Sequence, residues 1–178
     1  MYFSKPGNYT AEVAELVSKY AKDHAINHVV VASNSGTTAQ AFLNNDYHVV
    51  CVTHQVGFRS PGQDEMAPEM RENLKAVGVD VLTTTHLMGG LERAALRKNG
   101  GNGIQSITAS TLRMFGQGTK VCLEIACMAL DAGLIPFGED ILVVGGTGRG
   151  ADTAWVIQPA HSHTFYESKV KQLICKPL

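Results

Sequence analysis

Apolar residues along the chain fall into two patterns, spaced stripes and short continuous runs. Val13, Leu16, Val17 and Tyr20 recur at helical spacing behind Thr10, a serviceable N-cap, and predict a helix over residues 10–22. The β-branched run at 26–32 reads as a strand buried on both faces. It ends in Ser33-Asn34-Ser35-Gly36-Thr37-Thr38, ahead of a helix-forming stretch at 39–43. A second strand at 48–52 ends at Thr53-His54, a helix follows over 64–77 with Gly78 as its stop, and a third short strand spans 79–82. Within the long segment 83–109 only a short helix at 91–98 stands out. A long helix over 110–132 is closed by Gly133 and Pro136. A fourth strand at 140–144 enters the glycine loop 145–150, a fifth at 153–157 carries Trp155, and the tail 164–174 reads as a last helix. Strands alternating with helices predict a single α/β domain over 1–178, a three-layer sandwich on a mostly parallel five-stranded sheet. The fifth strand follows the fourth too closely for a helical crossover, so it pairs antiparallel.

Composition narrows the partners. Fifteen basic and sixteen acidic residues give a formal net charge of -1, and no basic stripe suggests a nucleic-acid surface. The apolar runs are too short to span a bilayer, and the N-terminus lacks a signal-peptide core, so a cytoplasmic location is expected. Cys51, Cys122, Cys127 and Cys175 form no C-x-x-C pair and read as reduced packing residues.

Two loops carry candidate chemistry. Ser33, Asn34, Ser35, Gly36, Thr37 and Thr38 combine a permissive glycine, several hydroxyls and a helix start, which suits a phosphate. A plain helix cap is the competing reading. In the second loop Gly146, Thr147, Gly148, Arg149 and Gly150 permit close ligand approach, and Arg149 supplies a bidentate cation. The loop opens into a strand rather than a helix, so it is neither a dinucleotide fingerprint nor a P-loop. If the first and fourth strands are neighbours where strand order reverses, both loops flank one crevice. Thr53 ends the second strand beside it. His86, with Glu92 to orient it, and His54 are candidates for acid–base work, against surface or capping roles. His161 and His163 have a chelating spacing but no third ligand, so no metal is expected. Arg113, Gln117 and Lys120 share a helix face, Gly116 and Gly118 call for a close backbone contact, and Glu124 is either a solvated charge or a buried partner for a base. The segment 83–109, with glycines at both ends, is read as a lid over the crevice or a reach into a neighbouring subunit, which admits a homo-oligomer.

The motifs VVVASNSGTTA and DILVVGGTGRGADT resemble the phosphate-binding strand–loop and the penultimate strand–turn of the C-terminal α/β domain of pyruvate kinase, where the first loop helps bind a sugar-bisphosphate effector. TTTHLMGGLER, TLRMFGQGTKVCLEIACMALDAGLIP, GGTGRGADTAWVI and QPAHSHTF are similar to the stand-alone proteins of that type from archaea and bacteria, with which flavin mononucleotide (FMN) is associated. The resemblance implies that fold and a phosphate-bearing ligand, FMN being the first choice. The catalytic barrel of pyruvate kinase has no counterpart here, so that activity is not implied. A sugar-phosphate enzyme and a regulatory module needing a partner chain remain as alternatives.

Overall fold

The computed structural model describes residues 1–43 and 46–178. Its strands are β1 (Tyr2–Phe3), β2 (His28–Ala32), β3 (His48–Val52), β4 (Asp80–Leu82), β5 (Ile141–Gly145), β6 (Thr153–Gln158) and β7 (Lys169–Pro177). The helices are α1 (Thr10–His24), α2 (Thr37–Gln40), α3 (Pro68–Ala76), α4 (Gly90–Asn99), α5 (Ile104–Arg113) and α6 (Gln117–Asp131). The strands form one sheet in the order β1-β7-β6-β5-β2-β3-β4. β5, β2, β3 and β4 run parallel, and β6 is antiparallel to both β5 and β7.

Alternation along the strands builds the two cores. Val29 and Val31 point to one face with Val49, Cys51, Leu142 and Val144, where they meet Val13, Val17 and Ala21 of α1 and Leu74 of α3. Val30, Val50, Ile141 and Val143 point to the other face and meet Cys122, Ile125, Ala126 and Ala129 of α6. Burying such a side chain contributes about 1.5–3 kcal/mol, so the two stripes hold three layers together. The expected α/β sandwich, with an antiparallel strand after the fourth, is the fold observed.

Three expectations are corrected. The tail is not a helix: after a 3-10 turn at Ser162–Glu167 the chain becomes β7, whose outer half is solvated and whose Ile174 and Cys175 enter the core. β6 offers an edge whose pairing outweighs a weak helical pattern, and β1 then adds to β7, so the sheet has seven strands rather than five. The single long helix is two, because Gly116 adopts φ 114° and breaks the chain between α5 and α6. Gly118 is tight for a different reason. A Cβ there would lie 2.1 Å from Thr153 Oγ1, and one on Gly145 would lie 2.8 Å from the Gly118 carbonyl. The close contact is therefore between the first turn of α6 and the ends of β5 and β6. Gly118→Ala is expected to destabilise the fold by about 1–3 kcal/mol through overpacking, read as a lowered midpoint in urea with an unchanged slope.

Candidate functional site

β2 and β5 are parallel neighbours, paired Val29 with Leu142 through Val31 with Val144, at the point where strand order reverses. A cleft of about 1040 Å³ opens over the carboxyl ends of β5, β2 and β3. Its lining includes Ser33, Asn34, Ser35, Thr37 and Thr38 from the first loop and Gly146, Thr147, Gly148, Arg149 and Gly150 from the second. Thr53, His54 and His86 also line it. Gly36 lies behind the surface, where its φ of 87° and the 2.5 Å that a Cβ would leave to Met70 exclude a side chain.

Each loop is held by a short network. Ser33 is buried, and its hydroxyl accepts from the Thr38 and Ala39 amides (3.1 and 3.3 Å), so it caps α2. Ser35 and Thr37 hydroxyls bond to each other at 3.1 Å in the open. The backbone N–H groups of Ser35, Gly36 and Thr37 have no acceptor among the described residues. Asp152, fully buried, accepts from the Thr147 amide (3.2 Å) and from the Thr153 hydroxyl (2.7 Å), which anchors the glycine loop from below. Gly150 has φ 73°, and a Cβ there would lie 2.0 Å from Asn8 Oδ1. The N-terminal segment closes on this side: Tyr9 N–H donates to Ala151 O and Ala151 N–H to Thr10 Oγ1.

The β3–β4 end of the cleft is aromatic and basic. Asn34 clamps His54: its Oδ1 accepts the His54 amide (3.1 Å) and its Nδ2 donates to His54 Nε2 (3.2 Å). The His54 Nδ1 proton then goes to Glu65 Oε1 at 2.6 Å, and Arg59 holds the other Glu65 oxygen at 2.9 Å. The Phe58 ring stacks on His54 at 3.9 Å, His86 lies 5.2 Å from His54 between ring centroids, and the Arg93 guanidinium sits over Phe58. The Thr53 hydroxyl is engaged with Thr83 (2.7 Å) and the His54 carbonyl (2.8 Å), so at the cleft wall Thr53 acts as a brace.

Sequence reasoning left Glu124 open and read Lys120 only as part of a helix face. Both are buried on the cleft wall, Lys120 7% and Glu124 5% exposed, and paired with each other. Glu124 Oε1 also accepts the Met88 amide at 2.7 Å, which ties the turn bearing His86 to α6. Among the described residues Lys120 donates only to Glu124, leaving two ammonium donors open to the cleft. The i, i+4 spacing of Lys120 and Glu124 was the available signal, but burial of a charged pair is not readable from spacing. Arg93, Arg113 and Arg149 also line the cleft and form no ion pair with a carboxylate among the described residues. The cleft is thus net cationic on a chain whose formal charge is -1.

Glu92 is not His86's partner. Its carboxylate turns away to accept the Gln105 and Ser106 amides (3.1 and 2.8 Å), capping α5 where Gly103 offers no side chain. Desolvation opposes ionisation there, but those hydrogen bonds outweigh it and hold the Glu92 carboxyl below its ordinary value. His161 bonds to Asp131 at 2.9 Å, at the opposite end of α6 from the cleft. The four cysteines are free and buried.

A model of the pyruvate kinase alpha/beta domain family matches residues 11–157, and the chain belongs to that family. Among solved structures it is similar to a pyruvate kinase from Cryptosporidium parvum, with 16% identity over 80% of this chain and 21% of that one and a TM-score of 0.41. The Cryptosporidium parvum pyruvate kinase in complex with ADP gives 15% identity over 84% and 23%, with a TM-score of 0.42. The chain therefore spans about a fifth of the pyruvate kinases it matches.

Burial lowers the His86 imidazole below its ordinary 6.5; Glu124 opposes this, and His54 and Lys120 reinforce it. A base with a depressed folded-state pKa binds fewer protons folded than unfolded, so stability rises with pH across the interval between the two values. The contribution is complete above about pH 6.5 and is lost as pH falls toward the folded-state value. His86→Gln is expected to flatten the acid side of a melting-temperature profile between neutral pH and pH 5. An unchanged profile would show that His86 titrates as it does in water.

Proposed function

We propose that this domain binds a phosphate-bearing small molecule in the cleft, with the phosphate between the Ser33–Thr38 and Gly146–Gly150 loops. The observation that carries this reading is that, among the described residues, the amides of Ser35, Gly36 and Thr37 have no acceptor and lie opposite a glycine loop whose Arg149 has no carboxylate partner. Oriented N–H groups and a free guanidinium at a strand-order reversal are an arrangement suited to an oxyanion. FMN is the ligand to try first, on the family resemblance and because the cleft continues from the phosphate loops to the His54–Phe58–His86 rings, where a planar group can pack. A cytoplasmic setting belongs to this reading, in keeping with four reduced thiols in the core. No described helix is long and apolar enough to cross a membrane.

A second reading is favoured by the lowered pKa of His86, which keeps a neutral imidazole in the cleft at neutral pH. In it the domain is an enzyme acting on a sugar phosphate or similar anion, with His86 as base and His54 beside it. Glu92 takes no part.

The visible flavin band in freshly purified protein, followed by calorimetric titration of FMN and of inorganic phosphate, tests the binding reading. Arg149→Ala is expected to weaken both ligands by about 1.5–3 kcal/mol, roughly 10- to 150-fold, with little change in stability because the side chain is exposed. Equal affinities for the wild type and the variant would remove Arg149 from the site.

A further inference from the structure

α4 is ten residues long and buries no side chain. A helix that short is marginal by itself and depends on whatever its face packs against. Its neighbours on both sides are pinned. The Met88 amide just before it is held by the buried Glu124 at 2.7 Å. α5 just after it is anchored by buried Ala109 and by Leu112, which packs on the core under α6. Among the described residues, the side-chain hydrogen bonds from α4 to the rest of the fold come from Glu92 alone. Its carboxylate accepts the Gln105 and Ser106 amides and the Ser106 hydroxyl in the first turn of α5. Glycines bound the helix at both ends. Gly90 has φ 51°, and Gly100 has φ 72° at a place where a Cβ would meet nothing within 4 Å. Such positions absorb the backbone rotation of a hinge without crowding.

What α4 presents to the cleft is Arg93. Its guanidinium sits 5.8 Å over the Phe58 ring, at the β3–β4 end. It makes no hydrogen bond among the described residues, so all five N–H donors are unspent. Arg149 stands at the other end of the cleft, in the glycine loop. We propose that α4 is a flap and that Arg93 is a ligand-binding residue it carries. The inference rests on the phosphate-binding reading above. On binding, α4 turns about its two glycine ends and lays the Arg93 fork on acceptor oxygens at the end of the ligand away from its phosphate. An exposed cation–π contact is weaker than a charge-assisted hydrogen bond, so those oxygens outcompete the Phe58 ring for the guanidinium. Glu92 stays on the α5 amides and serves as the pivot. The ligand class follows: a phosphate monoester long enough to cross the cleft, with carbonyl or anionic oxygens at its far end. Bare phosphate fills only the loop end and leaves α4 where it is.

Calorimetric titration of the full chain with inorganic phosphate and with FMN, joined to amide exchange on both complexes, tests this. Phosphate should protect the Ser33–Thr38 loop and leave residues 89–101 unchanged. FMN should protect both. Arg93 is exposed, so Arg93→Ala should keep the circular dichroism spectrum. It should weaken FMN roughly tenfold or more and leave phosphate affinity unchanged, whereas Arg149→Ala weakens both. FMN that binds no tighter than phosphate, that leaves residues 89–101 exchanging as in the free protein, or that binds Arg93→Ala as well as the wild type would overturn the inference while the binding reading stands. So would equal losses for both probes, which would make Arg93 structural. Failure of both probes to bind the wild type would overturn both.

Discussion

The parallel pairing of β2 with β5 is the constraint on which the cleft depends. The chain leaves β2 toward β3 and β4, then returns through α6 to lay β5 on the other side of β2. Two loops 112 positions apart, at Ser35 and Thr147, thereby leave adjacent strand ends in diverging directions, and the space between them is the cleft. The pairing is held from both faces, because alternate residues of both strands are buried under α1 and α6. Close approach of α6 at Gly118 and Gly145 then sets how near its first turns, and hence Lys120, come to the mouth of the glycine loop.

The cleft's chemistry is uneven along its length. At the β2–β5 end, backbone amides and Arg149 offer hydrogen bonds without a built-in acceptor. At the β3–β4 end, His54 is locked between Asn34 and Glu65, with aromatic rings and Arg93 around it. Between them lies the buried Lys120–Glu124 pair. Burying two charges costs several kcal/mol per ion before their attraction is counted, and removing either partner alone typically destabilises by about 3–5 kcal/mol. In the proposed binding reading, the spare ammonium donors of this costly pair would serve recognition as well as packing.

The parallel strands and the two loops were legible in sequence because their signals are local. A β-branched run such as Val29-Val30-Val31 has few other uses, and the glycines and hydroxyls packed into residues 33–38 and 145–150 exceed what a plain helix cap or a strand-to-strand turn requires. What failed depended on partners far away in the chain. β7 is a strand because β6 leaves an edge for it, which the period of residues 164–174 does not reveal. Glu92 looked like an orienting acid for His86 at six residues' separation, yet the helix it caps begins twelve residues further on, at Ile104. Gly116 was read as an interruption tolerated within one helix, when its positive φ ends the helix.

The central claim is that the free amides of the first loop, together with the second loop, hold an oxyanion. Titrating uniformly nitrogen-15-labelled protein with inorganic phosphate and following backbone amide resonances tests it most directly. The account predicts that Ser35, Gly36 and Thr37 shift downfield together with Thr147 and Gly148, saturating with one common dissociation constant. Saturable shifts confined to other residues, or none at millimolar phosphate while the fold is intact, would contradict it.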